Sequence, residues 1–223
     1  MRRGTYGIPG NPKMSDTLVI RTPCGLSGDM FLCGLVRLLG LDDAEVRDRV
    51  NRIGVAALND ALQIEARMVG GISGWHARVT LPHEHAHRGL KDILSIINAS
   101  SMAPRARAVA SDAFHRLASV EAEMHNIPEE RVHFHEIGAL DSILDVCLTA
   151  ELLAESGVTA VYCSPLPVSD GVVRCQHGLL ATPAPAVFRM LEGVPVYGVS
   201  NAGETVTPAA LALLLSMDAH FGT

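Results

Sequence analysis

Apolar positions along this chain fall into short runs of two different periods, and their order predicts strands alternating with helices. Thr17 to Ile20 reads as a short buried strand. It runs into the glycine turn Pro23-Cys24-Gly25-Leu26-Ser27-Gly28-Asp29 and then into the helical spacing of Met30 to Leu39. A second helix is predicted over Asp43 to Ile53. Alternation with period two appears through Leu62 to Ala66 and again through Trp75 to Leu81, with Gly70-Gly71 between them, which predicts a hairpin. Helices follow at Leu90 to Asn98 and Pro104 to His125. The latter carries Val109, Ala110, Ala113, Phe114, Leu117, Val120 and Met124 as a core stripe, with His115 and His125 on its surface. A helix starting near Gly138 shows Leu140, Ile143, Leu144, Val146, Cys147, Leu148, Leu152 and Leu153, apolar nearly all the way round, and is predicted to be buried.

Val158 to Cys163 reads as a strand buried on both faces, which points to a βαβ-like layer. Ser164 to Pro185 is so rich in glycine and proline that no long regular element is predicted there. Thr207 and Pro208 suit the cap and first residue of a closing helix over Ala209 to Met217. The expected fold is therefore α/β, with a short, mixed, mostly parallel sheet, flanking helices and a long loop-rich segment. Residues 1–16 are expected to be a flexible leader and 17–223 one α/β domain.

Chemistry concentrates in Val132 to Asp145, which holds two imidazoles and three carboxylates among apolar neighbours. His133 and His135 share one side of an extended stretch, with Phe134 on the other, and Asp141 and Asp145 share one face of a helix. Carboxylates on so apolar a helix need a cation, an imidazole or water beside them. Spacing leaves two readings open: a metal or catalytic site, or aspartates complementing a helix dipole and histidines ending a strand. The tract Pro82 to His87 repeats histidine at 83, 85 and 87. It suits loose capture of a metal ion, and a merely solvated tract explains the same pattern. The Gly25 to Gly28 turn is either an anion cradle or a tight turn capped by Ser27 or Asp29, while Arg174 and His177 either meet an anionic ligand or sit on a surface loop.

Composition narrows the partners. A net charge of −6 with 4% aromatic residues argues against a nucleic-acid surface, which would be basic and interleaved with stacking rings. No apolar run approaches bilayer length, so no membrane span is expected. The five cysteines are odd in number and scattered, which fits reduced thiols in a cytoplasm.

Four separate blocks resemble the LarC family of nickel-insertion proteins in lactate racemase maturation. They are Gly25-Leu26-Ser27-Gly28-Asp29-Met30-Phe31, His87-Arg88-Gly89-Leu90-Lys91-Asp92-Ile93, His133-Phe134-His135-Glu136 through Asp145, and Ser164-Pro165-Leu166 through Pro183-Ala184-Pro185-Ala186. The resemblance runs from about Leu18 onward. It implies chelation of nickel into a pyridinium bis-thiocarboxylate mononucleotide, with CTP hydrolysed, manganese or magnesium required, and the nickel-pincer nucleotide cofactor as product. By the same resemblance His133, His135, Glu136, Asp141 and Asp145 form the catalytic cluster. His133, His135, Asp141 and Asp145 with the tract His83, His85 and His87 are the expected metal-binding residues, and Gly25, Ser27, Gly28, Asp29, Arg174 and His177 lie toward the nucleotide.

Three departures stand out. Arg21 occupies a position where the family has aspartate, Thr207-Pro208-Ala209-Ala210 replaces Thr-Pro-Thr-Gly, and family members continue past Thr223 into a C-terminal domain. The lone chain is accordingly expected to be an incomplete chelatase needing that domain as a separate partner, and a homo-oligomer is expected. The alternatives are a non-catalytic metal-binding scaffold or degenerate paralogue, and a metal-dependent hydrolase.

Overall fold

The computed structural model describes residues 16–81, 88–134, 138–175, 178–200 and 203–222. Among these the elements run β1 (Thr17–Ile20), α1 (Gly28–Leu39), α2 (Asp43–Arg52), β2 (Leu62–Val69), β3 (Ile72–Val79), α3 (Leu90–Ala99), α4 (Pro104–His125) and α5 (Leu140–Ser156). They continue with β4 (Ala160–Cys163), β5 (Leu166–Ser169), β6 (Gly171–Cys175), β7 (Gly178–Thr182), α6 (Pro185–Met190), β8 (Val196–Val199), α7 (Pro208–Ser216) and β9 (His220–Phe221). The architecture is mixed α/β, as the sequence pattern predicts.

An apolar helix with no polar stripe must be wrapped by other elements, and α5 is. Ile143, Leu144, Val146, Cys147, Leu148 and Leu152 are completely buried, and the helix packs against α4, α1 and α7. Ala106, Ala110 and Ala113 leave α4 a narrow flank for its neighbours, and Phe114 beside them meets Phe134 edge-on at 6.3 Å. Arg52 on α2 holds the far end of α5: its guanidinium donates to Glu151, which is buried, and to Glu155 and Asp48. The other oxygen of Glu151 accepts the backbone N–H of Ala103 at 2.8 Å, just before α4 begins.

Strand β4 lies between β1 and β9, parallel to both. The expectation of strands buried on both faces is corrected here. Leu18, Ile20 and Val161 pack under α5, whereas Val19 and Tyr162 stand exposed, because the described helices cover only one face of this small sheet. The carbonyl of Asp16, just before β1, accepts from the N–H groups of Thr159 and Ala160. Residues 1–15 lie outside the described residues.

Ser164 to Pro185 holds no long element, as expected, but it carries short strands. β5 pairs with β8 in parallel and β6 with β7 as an antiparallel hairpin, so glycine and proline punctuate short strands instead of abolishing them. Pro167 is tolerated because, among the described residues, β5 has a strand on one side only. Hairpin β2–β3 turns through Gly70 and Gly71, whose φ angles of 57° and 81° are both in the left-handed region that a two-residue hairpin turn demands. No described helix is long and apolar enough to cross a membrane.

Candidate functional site

Aspartates four apart on a helix share a face, and on α5 the face shared by Asp141 and Asp145 opens into a cavity of about 350 Å³. Ser27, Gly28 and Asp29 form a second wall at the start of α1, Thr207, Pro208 and Ala209 a third at the start of α7, and Val173, Arg174 and Leu180 from the β6–β7 hairpin close another side. Three helices of nine residues or more thus begin at this space, each directing the positive end of its dipole toward it. Carboxylates and helix N-termini in one cavity suit a divalent cation together with an anion that shares it.

Local sequence explains how these walls meet. Gly25 adopts φ +113°, and a Cβ there would lie 2.0 Å from the carbonyl oxygen of Thr205. Only glycine fits. The contact lets Leu26 N–H donate to Thr205 O at 2.8 Å and Thr207 N–H donate to Leu26 O at 3.1 Å, which fixes the start of α1 beside the start of α7. Thr207 then caps α7 with Pro208 in its first turn, as predicted. Gly28 is equally constrained, because a Cβ would come within 2.5 Å of Asp145 Oδ2 and 2.9 Å of Asp145 Cβ. Ser27 does not cap α1 with its side chain; its hydroxyl donates to Asp29 Oδ1 instead.

Packing of Asp145 against the glycine leaves its Oδ1 buried without a hydrogen-bond partner. Burial, reinforced by the negative charges of Asp29 and Asp141, pushes its carboxyl up to about 7. Such a group is about half protonated at neutral pH, and a bound cation would favour its ionised form. Asp141 is exposed, with Oδ1 accepting the N–H of Ser142.

The structure therefore unites Ser27, Gly28, Asp29, Asp141, Asp145 and Arg174 from the residues singled out in the sequence, while Gly25 holds the wall from behind. It does not bring His133 there. That residue is exposed and makes an isolated backbone pairing with Gly89, between buried Val132 and Phe134. Alternation along 132–134 is as expected, but the imidazole faces outward. Among the described residues no group of three or more His, Cys, Asp or Glu is drawn together closely enough to hold a metal ion, so the cavity presents separated carboxylates. His83, His85, His87, His135, Glu136 and His177 lie outside the described residues. Arg21 is exposed and does not line the cavity.

Glu121 and Glu204 also line the cavity and were missed. Glu121 sits at helical spacing from Leu117 and Met124 and is buried, with Oε2 3.3 Å from His125 Nε2. A carboxylate on an apolar stripe was the available signal. Met124, read as core, is part-exposed because it faces this space. The described cysteine side chains, Cys24, Cys33, Cys147 and Cys163, are all free thiols.

Comparison with known proteins follows the same line. The family described as nickel insertion protein matches residues 18–223. Relatives from Dictyoglomus thermophilum and Geotalea daltonii, both carrying the name "Putative nickel insertion protein", are 38% and 37% identical and cover 85% and 89% of this chain. A pyridinium-3,5-bisthiocarboxylic acid mononucleotide nickel insertion protein of Desulfitobacterium hafniense is 35% identical over 89% of the chain. The chain spans 48%, 51% and 48% of these three relatives, about half their length. No solved structure matches it.

Proposed function

Because the chain belongs to the nickel insertion protein family, we propose that it takes part in placing nickel into a pyridinium bis-thiocarboxylate mononucleotide, yielding the nickel-pincer nucleotide cofactor of lactate racemase in the cytoplasm. The reaction consumes CTP, uses manganese or magnesium, and needs the C-terminal domain of the longer relatives. One observation carries this reading: Asp29, Asp141 and Asp145 share a cavity with three helix N-termini and Arg174.

Carboxylate oxygen suits a hard divalent ion, and the orphaned Oδ1 of Asp145 is a buried acceptor that would receive one, with Asp29 and Asp141 adding negative charge to the same cavity. Manganese or magnesium bound there supplies positive charge to phosphate oxygens. This chain's own residues position the groups. The helix starts at Gly28 and Thr207, with Arg174 at the rim, would orient the phosphate of the mononucleotide, and Asp145 would hold the cation in its ionised form, releasing any proton it carries to solvent. Nickel, the cargo, suits imidazole better than carboxylate, which assigns its capture to His83, His85, His87, His133 and His135.

The test supplies the purified chain with the nickel-free pyridinium mononucleotide, nickel, manganese and CTP, and assays activation of nickel-free lactate racemase with and without a separately produced C-terminal domain. Activation only when both are present, lost in Asp141→Ala and Asp145→Ala, is the expected result. Undiminished activation by both variants would refute the cavity as the site.

A further inference from the structure

Among the described residues strand β2 is paired on one edge only. Val69 and Ile72 flank the two-residue turn and form its closing hydrogen-bonded pair, and Thr80 N–H donating to Ala61 O at 2.8 Å fixes the same phase at the other end. Gln63, Glu65 and Arg67 therefore bond to β3, while the backbone N–H and C=O groups of Leu62, Ile64, Ala66 and Met68 point away from it. Among the described residues no strand meets that edge. A groove of about 590 Å³ lies along it, lined by residues from both faces of β2 (Leu62, Gln63, Ile64, Glu65) and, across from them, by Asp43, Val46 and Arg47 of α2. At the same hairpin's tip Met68, Val69 and Ile72 are 71%, 65% and 76% exposed. A bare strand edge ending in an apolar tip invites pairing.

We propose that the occupant is the β2 strand of a second copy of this chain, docked antiparallel about a two-fold axis through Ala66 to make a four-stranded sheet β3–β2–β2–β3. Charge selects both the partner and the register. With Ala66 opposite Ala66, the outward-pointing groups of residues 64, 66 and 68 find partners, and Glu65 of each copy faces Arg67 of the other in a non-hydrogen-bonded pair, where side chains come closest. Sliding the register one way sets Glu65 against Glu65. Sliding it the other way sets Arg67 against Arg67. In the chosen register residues 67–69 of one hairpin lie beside residues 65–63 of the other, so each apolar tip enters the other copy's groove between β2 and α2, the reciprocal contact that a two-fold dimer requires.

Sedimentation of the full chain at micromolar concentrations tests this. The wild type is expected to be a dimer, Glu65→Arg and Arg67→Glu each to weaken dimerisation by roughly tenfold or more because like charges then meet twice, and the double reversal to restore it. Glu65 also accepts from Arg78 within its own hairpin, so a second variant keeps the test independent of that bond. Ala66→Pro removes an N–H that β3 does not use, leaving the hairpin's own ladder intact by circular dichroism while abolishing the dimer. A monomeric wild type overturns the proposal, as does a dimer that survives Ala66→Pro or a double reversal that stays monomeric.

Discussion

Replacing Asp145 by asparagine keeps the side chain's shape against Gly28 and removes only its charge. In the native protein burial and the two neighbouring aspartates raise the carboxyl from its ordinary 3.8 to about 7. The folded chain thus binds this proton more tightly than the unfolded chain does. The resulting stability is present at low pH and is lost as pH rises from about 4 through about 7. A rise of a little over three, at about 1.4 kcal/mol each, makes the penalty of ionised Asp145 at pH 8 at most about 4 kcal/mol, a large share of the roughly 5–15 kcal/mol that holds a domain folded. Urea unfolding of the metal-free chain between pH 5 and 8.5 measures it. Wild type is expected to lose stability from pH 5 to about 7 and to level off above that, and Asp145→Asn to be flatter below pH 7 and more stable at pH 8. Manganese at pH 8 is expected to recover the loss in wild type alone. Equal pH slopes in the two proteins would refute the account of Asp145 as a buried carboxyl waiting for a cation.

Other changes test the packing that builds the cavity. Gly28→Ala forces a methyl group against Asp145 and is expected to destabilise by about 1–3 kcal/mol, with most of that recovered in Gly28→Ala/Asp145→Ala, as a double-mutant cycle by urea denaturation would show. Arg52→Ala strips a buried Glu151 of its counter-charge and is expected to cost about 3 kcal/mol, whereas Arg47→Ala, which breaks an exposed pair with Asp60, is expected to cost less than about 1 kcal/mol; thermal melts of the two variants make the comparison. Alanine at His83, His85 and His87 together is expected to leave the melting temperature of the metal-free chain unchanged while reducing nickel retained at low concentration in equilibrium dialysis.

Local signals carried much of the fold. Period and capping residues located α1, α2, α3, α4, α5 and α7 to within a residue or two, and Gly70-Gly71 located the hairpin turn, because each of these depends on neighbours in sequence. Exposure of Val19 and Tyr162 was not legible: whether a strand is covered on one face or two depends on where distant helices pack. The same limit governed the cavity. Asp141 and Asp145 announce themselves by spacing on one helix, but Glu121 and Glu204 join them only because α4 and the segment before α7 fold against α5. His133 lies away from the cavity for the converse reason: alternation fixes that it opposes Phe134 but not which side of the chain meets the cavity.

The lacing of Gly25 and Leu26 to Thr205 and Thr207 also sets when this site comes into being. Its walls are drawn from positions 27–29, 121–145, 173–186 and 204–209, so the last pieces leave the ribosome long after the first. At the usual 5–20 residues per second, Asp29 waits roughly 10–30 s for the strand that will hold its helix in place. Through that interval the aspartates are separate, solvated side chains with little hold on any ion. The cavity therefore takes shape only when α7 docks beside α1, whatever ion or ligand it serves.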